Sequence, residues 1–133
     1  MKKLIFSFFF LLLFVISNSQ NLSQNKTYSA EAKLAAKEQT QKLRDRVVKG
    51  EKMEDIARQY SEDPGSAMKG GLYMNVGKGV MDAEFEKVAF SLKQGQVSQV
   101  FETVYGYHFV QMIKKHGELV DIRHVLVIPK EQK

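Results

Sequence analysis

Residues 60–90 read YSEDPGSAMKGGLYMNVGKGVMDAEFEKVAF, and three clusters of chain-breaking residues divide this stretch. Ser61-Glu62-Asp63-Pro64-Gly65 is turn chemistry, with one φ angle set by Pro64 and Gly65 free to take a positive one. Gly70-Gly71 and Gly77-Lys78-Gly79 are two further breaks, and the LYMNV segment between them suits a short strand. Beyond the last glycine, Asp82 can cap a helix. The apolar face of that helix, Phe85, Val88, Ala89 and Leu92, recurs at i, i+3, i+4 and i+7. The order is therefore loop, strand, glycine turn, helix, and it brings Asp63, Met81 and Phe85 near one another. An apolar wall beside a carboxylate can hold an apolar ring next to a polar group.

The chain opens on a targeting signal. Lys2 and Lys3 precede a nearly unbroken apolar run over residues 4–16, and Ser17 and Ser19 put small residues where a signal peptidase needs them. Cleavage is expected between Ser19 and Gln20. The alternative is an uncleaved anchor, but the run is short against the roughly 20 residues of a bilayer span. There is no cysteine, hence neither a lipid-attachment site nor a disulfide framework. Without Lys2 and Lys3 the formal charge falls from +5 to +3 (5 − 2 = 3), and the remaining charges are interspersed. That argues against nucleic-acid binding. Asn21 and Asn25 each begin a glycosylation sequon, which in a polar leader over residues 20–29 is chance composition.

A single domain over residues 30–129 is expected, followed by a tail over 130–133. Ser29 caps a first helix over 30–48, with Leu34, Leu43, Val47 and several alanines for its buried side, and Gly50 stops it. A second helix over 52–60 buries Met53, Ile56, Ala57 and Tyr60. Arg44, Arg46, Lys49 and Lys52 form a solvated face. Strands follow over 99–104, 107–115 and 119–128. In the second of these, His108, Val110 and Met112 share one face and Tyr107, Phe109 and Ile113 the other. His108, His116 and His124 are poor metal ligands as a set: on a straight strand the first two lie more than about 20 Å apart at about 3.3 Å per residue.

The segments SEDPGSAMKGG and GKGVMDAEFEKVAFSLKQGQVSQVFETVYGYHFV closely resemble the parvulin family of peptidyl-prolyl cis/trans isomerases, over roughly residues 30–114. The resemblance implies an α+β fold, an antiparallel four-stranded sheet surrounded by about four helices. It implies rotation of X-Pro bonds in exported polypeptides, in the periplasm of a bacterial cell envelope, with no cofactor. Unfolded or proline-containing polypeptides are the implied partners. The alternative is a non-catalytic peptide-binding module. Matched residue by residue, His108 is the histidine of the family's G-Y-H motif and His124 that of its R-H-I-L motif. Asp63 stands where members carry aspartate or cysteine, and Thr103 matches the threonine that orients two mutually bonded histidines. Met81 and Phe85 match the proline pocket, with Tyr73 and Phe90 added as substrate-binding candidates. Tyr73 falls where the family usually has leucine, and Leu72 and Met74 replace the D and G of G-G-D-L-G.

One departure concerns order. The family begins with the R-H-I-L strand, whereas here its counterpart, Ile122-Arg123-His124-Val125-Leu126, lies near the C-terminus. Three arrangements account for this: a circular permutation, a fragment of a tandem chaperone, or a strand swapped between two copies. The permutation is favoured, as a monomer, because a hairpin after Lys115 needs no partner.

Overall fold

The computed structural model describes residues 27–133. The signal segment, its cleavage position and both sequon asparagines lie outside the described residues. Among the described residues there are three α-helices, α1 (Ala30–Val48), α2 (Met53–Tyr60) and α3 (Ala83–Ser91), against the four or so expected, together with a short 3₁₀ turn at Ala67–Lys69. The strands are β1 (Leu72–Val76), β2 (Phe101–Thr103), β3 (Gly106–His116) and β4 (Leu119–Val127). They form one antiparallel sheet in the order β1-β4-β3-β2. β4, last in the chain, is thus an interior strand.

Alternation along β3 and β4 divides the core in two. Tyr107, Phe109, Val125 and Val127 face α1 and α2, joining Ala36, Leu43, Val47, Met53, Ile56 and Ala57. Val110, Met112, Val120 and Ile122 face the other way, against Phe85, Ala89 and Leu92. His108 and His124 keep the parity of this second face. Ile113 departs from expectation: the register slips between Met112 and Lys114, and Ile113 is left exposed.

The helix caps follow the sequence. Ser29 Oγ accepts the Ala32 N–H at 3.1 Å, and Asp82 Oδ1 accepts those of Glu84 and Phe85 at 3.0 and 3.3 Å. On α1 the buried stripe is Ala32, Ala36, Thr40, Leu43 and Val47, while Leu34, expected inside, is 58% exposed. Several faces of an alanine-rich helix look alike in sequence. The chosen stripe admits Thr40 because its hydroxyl donates to Ala36 O at 2.7 Å. Arg44 and Arg46 are not simply solvated: Arg44 Nε donates to Ser98 O, and Arg46 pairs with Glu51 at 2.8 Å while covering the Tyr60 ring. The strand expected over 99–104 shortens to three residues, since Ser98 Oγ takes the Val110 N–H at 2.9 Å in place of a backbone carbonyl.

The end of the chain is fastened. Glu131 accepts from Ser29 N at 2.6 Å and Ser29 Oγ at 2.8 Å, and Lys130 pairs with Glu62. The exit of β4 therefore meets the start of α1.

Removing residues 121–133 takes an interior strand from both cores and leaves β1 and β3 with open edges. The truncated chain should lose its cooperative thermal transition and aggregate, whereas Glu131→Ala should cost less than about 1 kcal/mol. Circular dichroism melting with sizing chromatography checks both; an unchanged melting temperature after truncation would contradict the packing described.

Candidate active site

Loop, sheet and helix meet at a cavity of about 470 Å³ lined by Asp63, Tyr73, Met81, Phe85, Thr103, His108 and His124, with Val80, Tyr105 and Leu126 among its other walls. The loop is zipped to the end of β4. Leu126 N donates to Ser61 Oγ at 3.1 Å, Glu62 N to Leu126 O at 2.8 Å, and Ile128 N to Glu62 Oε2 at 2.7 Å. Gly71 brings the backbone of β4 close: His124 N donates to Gly71 O at 3.0 Å, and a β-carbon at Gly71 would lie 2.3 Å from His124 O. Only glycine fits there, at φ +77°.

Register then sets the histidines. Val110 pairs with His124 and His108 with Leu126, so the two rings are diagonal neighbours on one face. They do not bond to each other, contrary to expectation. They stack, with centroids 5.8 Å apart and planes 19° apart, and Nδ1 of each is buried without a hydrogen-bond partner. Each ring is held from its outer nitrogen instead. Thr103 Oγ1 lies 2.6 Å from His108 Nε2 and already accepts the Tyr105 N–H at 3.1 Å, leaving its own proton free for the ring. His124 Nε2 lies 2.9 Å from Asp63 Oδ2 and 3.1 Å from Ser66 Oγ.

Phe85 is 5% exposed and stands edge-on to both imidazoles, at 5.6 Å to His108 and 5.1 Å to His124. Phe101 stacks on His108 at 5.3 Å and 16°, and Tyr73 lies against His124 at 5.5 Å. The result is a row of four rings, Phe101, His108, His124 and Tyr73. Neither Phe101 nor Ser66 was singled out from sequence. Phe101 could have been found as the cross-strand partner of His108, and Ser66 as the hydroxyl three residues beyond Asp63. Phe90 is a correction. It sits five residues after Phe85, on another side of α3, where Lys78 covers its ring and it lines a separate depression with Leu119. Met81 is half-buried in the cavity wall.

The electrostatics follow from this packing. Hydrogen bonding from His124, with help from Ser66 and Tyr73, holds the Asp63 carboxyl well below the usual carboxylate range despite partial burial. Burial, then the neighbouring His124, pushes His108 down to about 4. Burial and donation to Asp63 push the Tyr73 phenol up to about 12. Among the described residues no three His, Asp or Glu side chains converge as metal ligands.

The cavity thus holds a histidine pair between an ionised carboxylate and a threonine, above a phenylalanine floor. The rotamase model, the PPIC-type PPIase domain, matches residues 19–114. The chain belongs to the parvulin family. Foldase protein PrsA of Bacillus subtilis is 34% identical over 103 residues, 77% of this chain and 35% of that protein. Chaperone SurA of Chromobacterium violaceum is 38% identical over 107 residues, 80% of this chain and 25% of that protein. The crystal structure of the peptidylprolyl isomerase PrsA from Bacillus anthracis superposes with a TM-score of 0.50 at 26% identity, covering 73% of this chain and 38% of that one. The parvulin chain thus spans between a quarter and about a third of these curated relatives. The matched family segment stops at residue 114, before β4, which carries His124.

Below about 6.5 the unfolded chain binds a proton at His108 that the folded chain refuses until about 4. Stability is therefore lost as pH falls across that window, by up to about 3 kcal/mol from this group. Asp63 acts in the same direction further down, since a depressed carboxylate contributes stability that protonation removes. His108→Asn should flatten the fall in melting temperature between pH 6.5 and 4 relative to the wild type; equal slopes would contradict a neutral, buried His108.

Proposed function

We propose that this parvulin domain is a peptidyl-prolyl cis/trans isomerase acting on unfolded, proline-containing polypeptides after export to the bacterial cell envelope. The observation that carries it is the juxtaposition, in one cavity, of the apolar Met81 and Phe85 with His108, His124 and Asp63. An X-Pro amide is held planar by resonance behind a barrier of about 18–20 kcal/mol. Twisting it localises the nitrogen lone pair and reduces the dipole of the planar amide, so a dry apolar wall around the ring favours the twisted form. Preorganised polar groups beside the carbonyl supply the rest without covalent chemistry. Phe85 and Met81 grip the ring, His108 and His124 border the amide, and Asp63 and Thr103 fix their orientation. Export is supported by the Lys2-Lys3 and apolar 4–16 pattern and by relatives named foldase and chaperone. No helix of the described residues is long and apolar enough to cross a membrane.

β4 is read as completing the domain in permuted order, in a monomer. In support, β4 pairs with both β1 and β3 of its own chain, and Glu131 hydrogen-bonds Ser29 where an unpermuted chain would run on into the first helix. A strand exchanged between copies would instead give a dimer whose melting temperature rises with concentration.

A binding module that holds peptides without turning them is the second reading, favoured by Tyr73 at the leucine position of the pocket. A protease-coupled isomerisation assay on a succinyl-Ala-Ala-Pro-Phe anilide separates the two. The purified chain should accelerate isomerisation, and Phe85→Ala, checked for folding, should lower kcat/KM at least about 100-fold, equivalent to about 2.7 kcal/mol. Binding without acceleration by the wild type supports the module; near-normal activity in a folded Phe85→Ala variant contradicts the pocket.

A further inference from the structure

Gly65 and Tyr73 fit one another. Gly65 is not among the glycines with positive φ, so its backbone conformation does not call for glycine. Space does. A β-carbon built on Gly65 would lie 2.5 Å from Tyr73 Oη, yet 3.6 Å from Tyr73 Cζ, an ordinary contact. The phenol oxygen occupies the volume that a side chain at position 65 would take.

From there it donates to Asp63 Oδ2 at 2.8 Å. The same oxygen accepts from Ser66 Oγ at 2.5 Å and is 2.9 Å from His124 Nε2. An ionised carboxylate only accepts, so the proton of the last contact resides on Nε2. Three donors converging on one oxygen leave the carboxylate a single orientation, and that orientation fixes the His124 ring. Leucine, the usual residue at this position in the family, has no donor to offer. The exchange removes part of an apolar wall and adds a bond to the group that aims a histidine.

We propose that Tyr73 is a positioning residue of the site, its hydroxyl holding Asp63 Oδ2 against His124 Nε2, and that Gly65 serves it by leaving the hydroxyl room. This rests on the isomerase reading above. The Met81 and Phe85 walls do not depend on the phenol oxygen, so its loss acts on turnover more than on binding. Tyr73→Phe keeps the ring against His124 and deletes only the donor. Gly65→Ala forces the hydroxyl off Asp63 while leaving it in the protein. In a Tyr73→Phe background the alanine meets nothing closer than the ring carbon.

The test measures kcat and KM for the wild type, Tyr73→Phe, Gly65→Ala and the double variant on the same proline anilide, with ¹⁵N spectra of the histidine rings in the unliganded proteins. Each single variant should lower kcat about tenfold with KM within about twofold, and the double variant should be no worse than either. The His124 Nε2–H resonance, sharp in the wild type, should broaden by exchange with water in Tyr73→Phe. Three results overturn the proposal: unchanged kcat in Tyr73→Phe, a loss confined to KM, or single losses that multiply in the double variant. A wild type without isomerase activity sinks the isomerase reading alone. The ring spectra then decide this one, with broadening supporting the positioning role and an unchanged resonance overturning it.

Discussion

The antiparallel pairing of β3 with β4 is the constraint on which the rest depends. It joins the two halves of the core and sets Val110 opposite His124 and His108 opposite Leu126. A slip of one residue would turn every side chain of β4 to the other face, carrying His124 away from Asp63 and Val125 out of its packing against α1 and α2. The buried alternation on both strands resists that slip, because Phe109, Val110, Met112, Ile122 and Val125 are each completely buried. The register that places the site is therefore held by apolar packing independently of the polar contacts.

Charge is then accommodated rather than avoided. A half-buried Asp63 carboxylate would be unfavourable if left bare, and the three donors on Oδ2 offset its desolvation, hydrogen bonds to a charged group contributing about 1.5–3 kcal/mol each. The imidazole further in is kept neutral by burial. A carboxylate at one end and a neutral ring at the other put an electrostatic gradient across the stacked pair, in a cavity whose remaining walls are largely apolar. That is an environment suited to an amide whose charge separation changes as it twists.

Much of this was legible in the chain. The turn at Asp63–Gly65, the caps at Ser29 and Asp82, and the alternation of β3 all follow from local chemistry, and the motif spacing carried the family and both histidines. The misses share a cause: they depend on geometry between elements. Leu34 lies outside because an alanine-rich helix offers several similar apolar faces, and packing selects the one through Ala36, Leu43 and Val47. Phe90, a substrate-binding candidate in sequence, lies away from the cavity because five residues along a helix turn a side chain well away from Phe85. Phe101 enters the site only through its pairing with His108, and the stacking of the histidines comes from a diagonal offset that no local pattern records. Gly65 reads in sequence as a turn residue free to take a positive φ, yet its φ is not positive and a β-carbon there would meet the Tyr73 hydroxyl.

Exchange spectroscopy on an Ala-Pro peptide mixed with catalytic amounts of the purified chain addresses the central claim most directly, that the cavity across β3 and β4 turns prolyl bonds. Uncatalysed isomerisation takes tens of seconds or longer, so cross-peaks between cis and trans resonances on a sub-second mixing time report catalysis alone. They should appear with the wild-type chain, together with line broadening at Phe85, His108 and His124. Peptide-induced shifts at those residues without any cis–trans cross-peaks would contradict it.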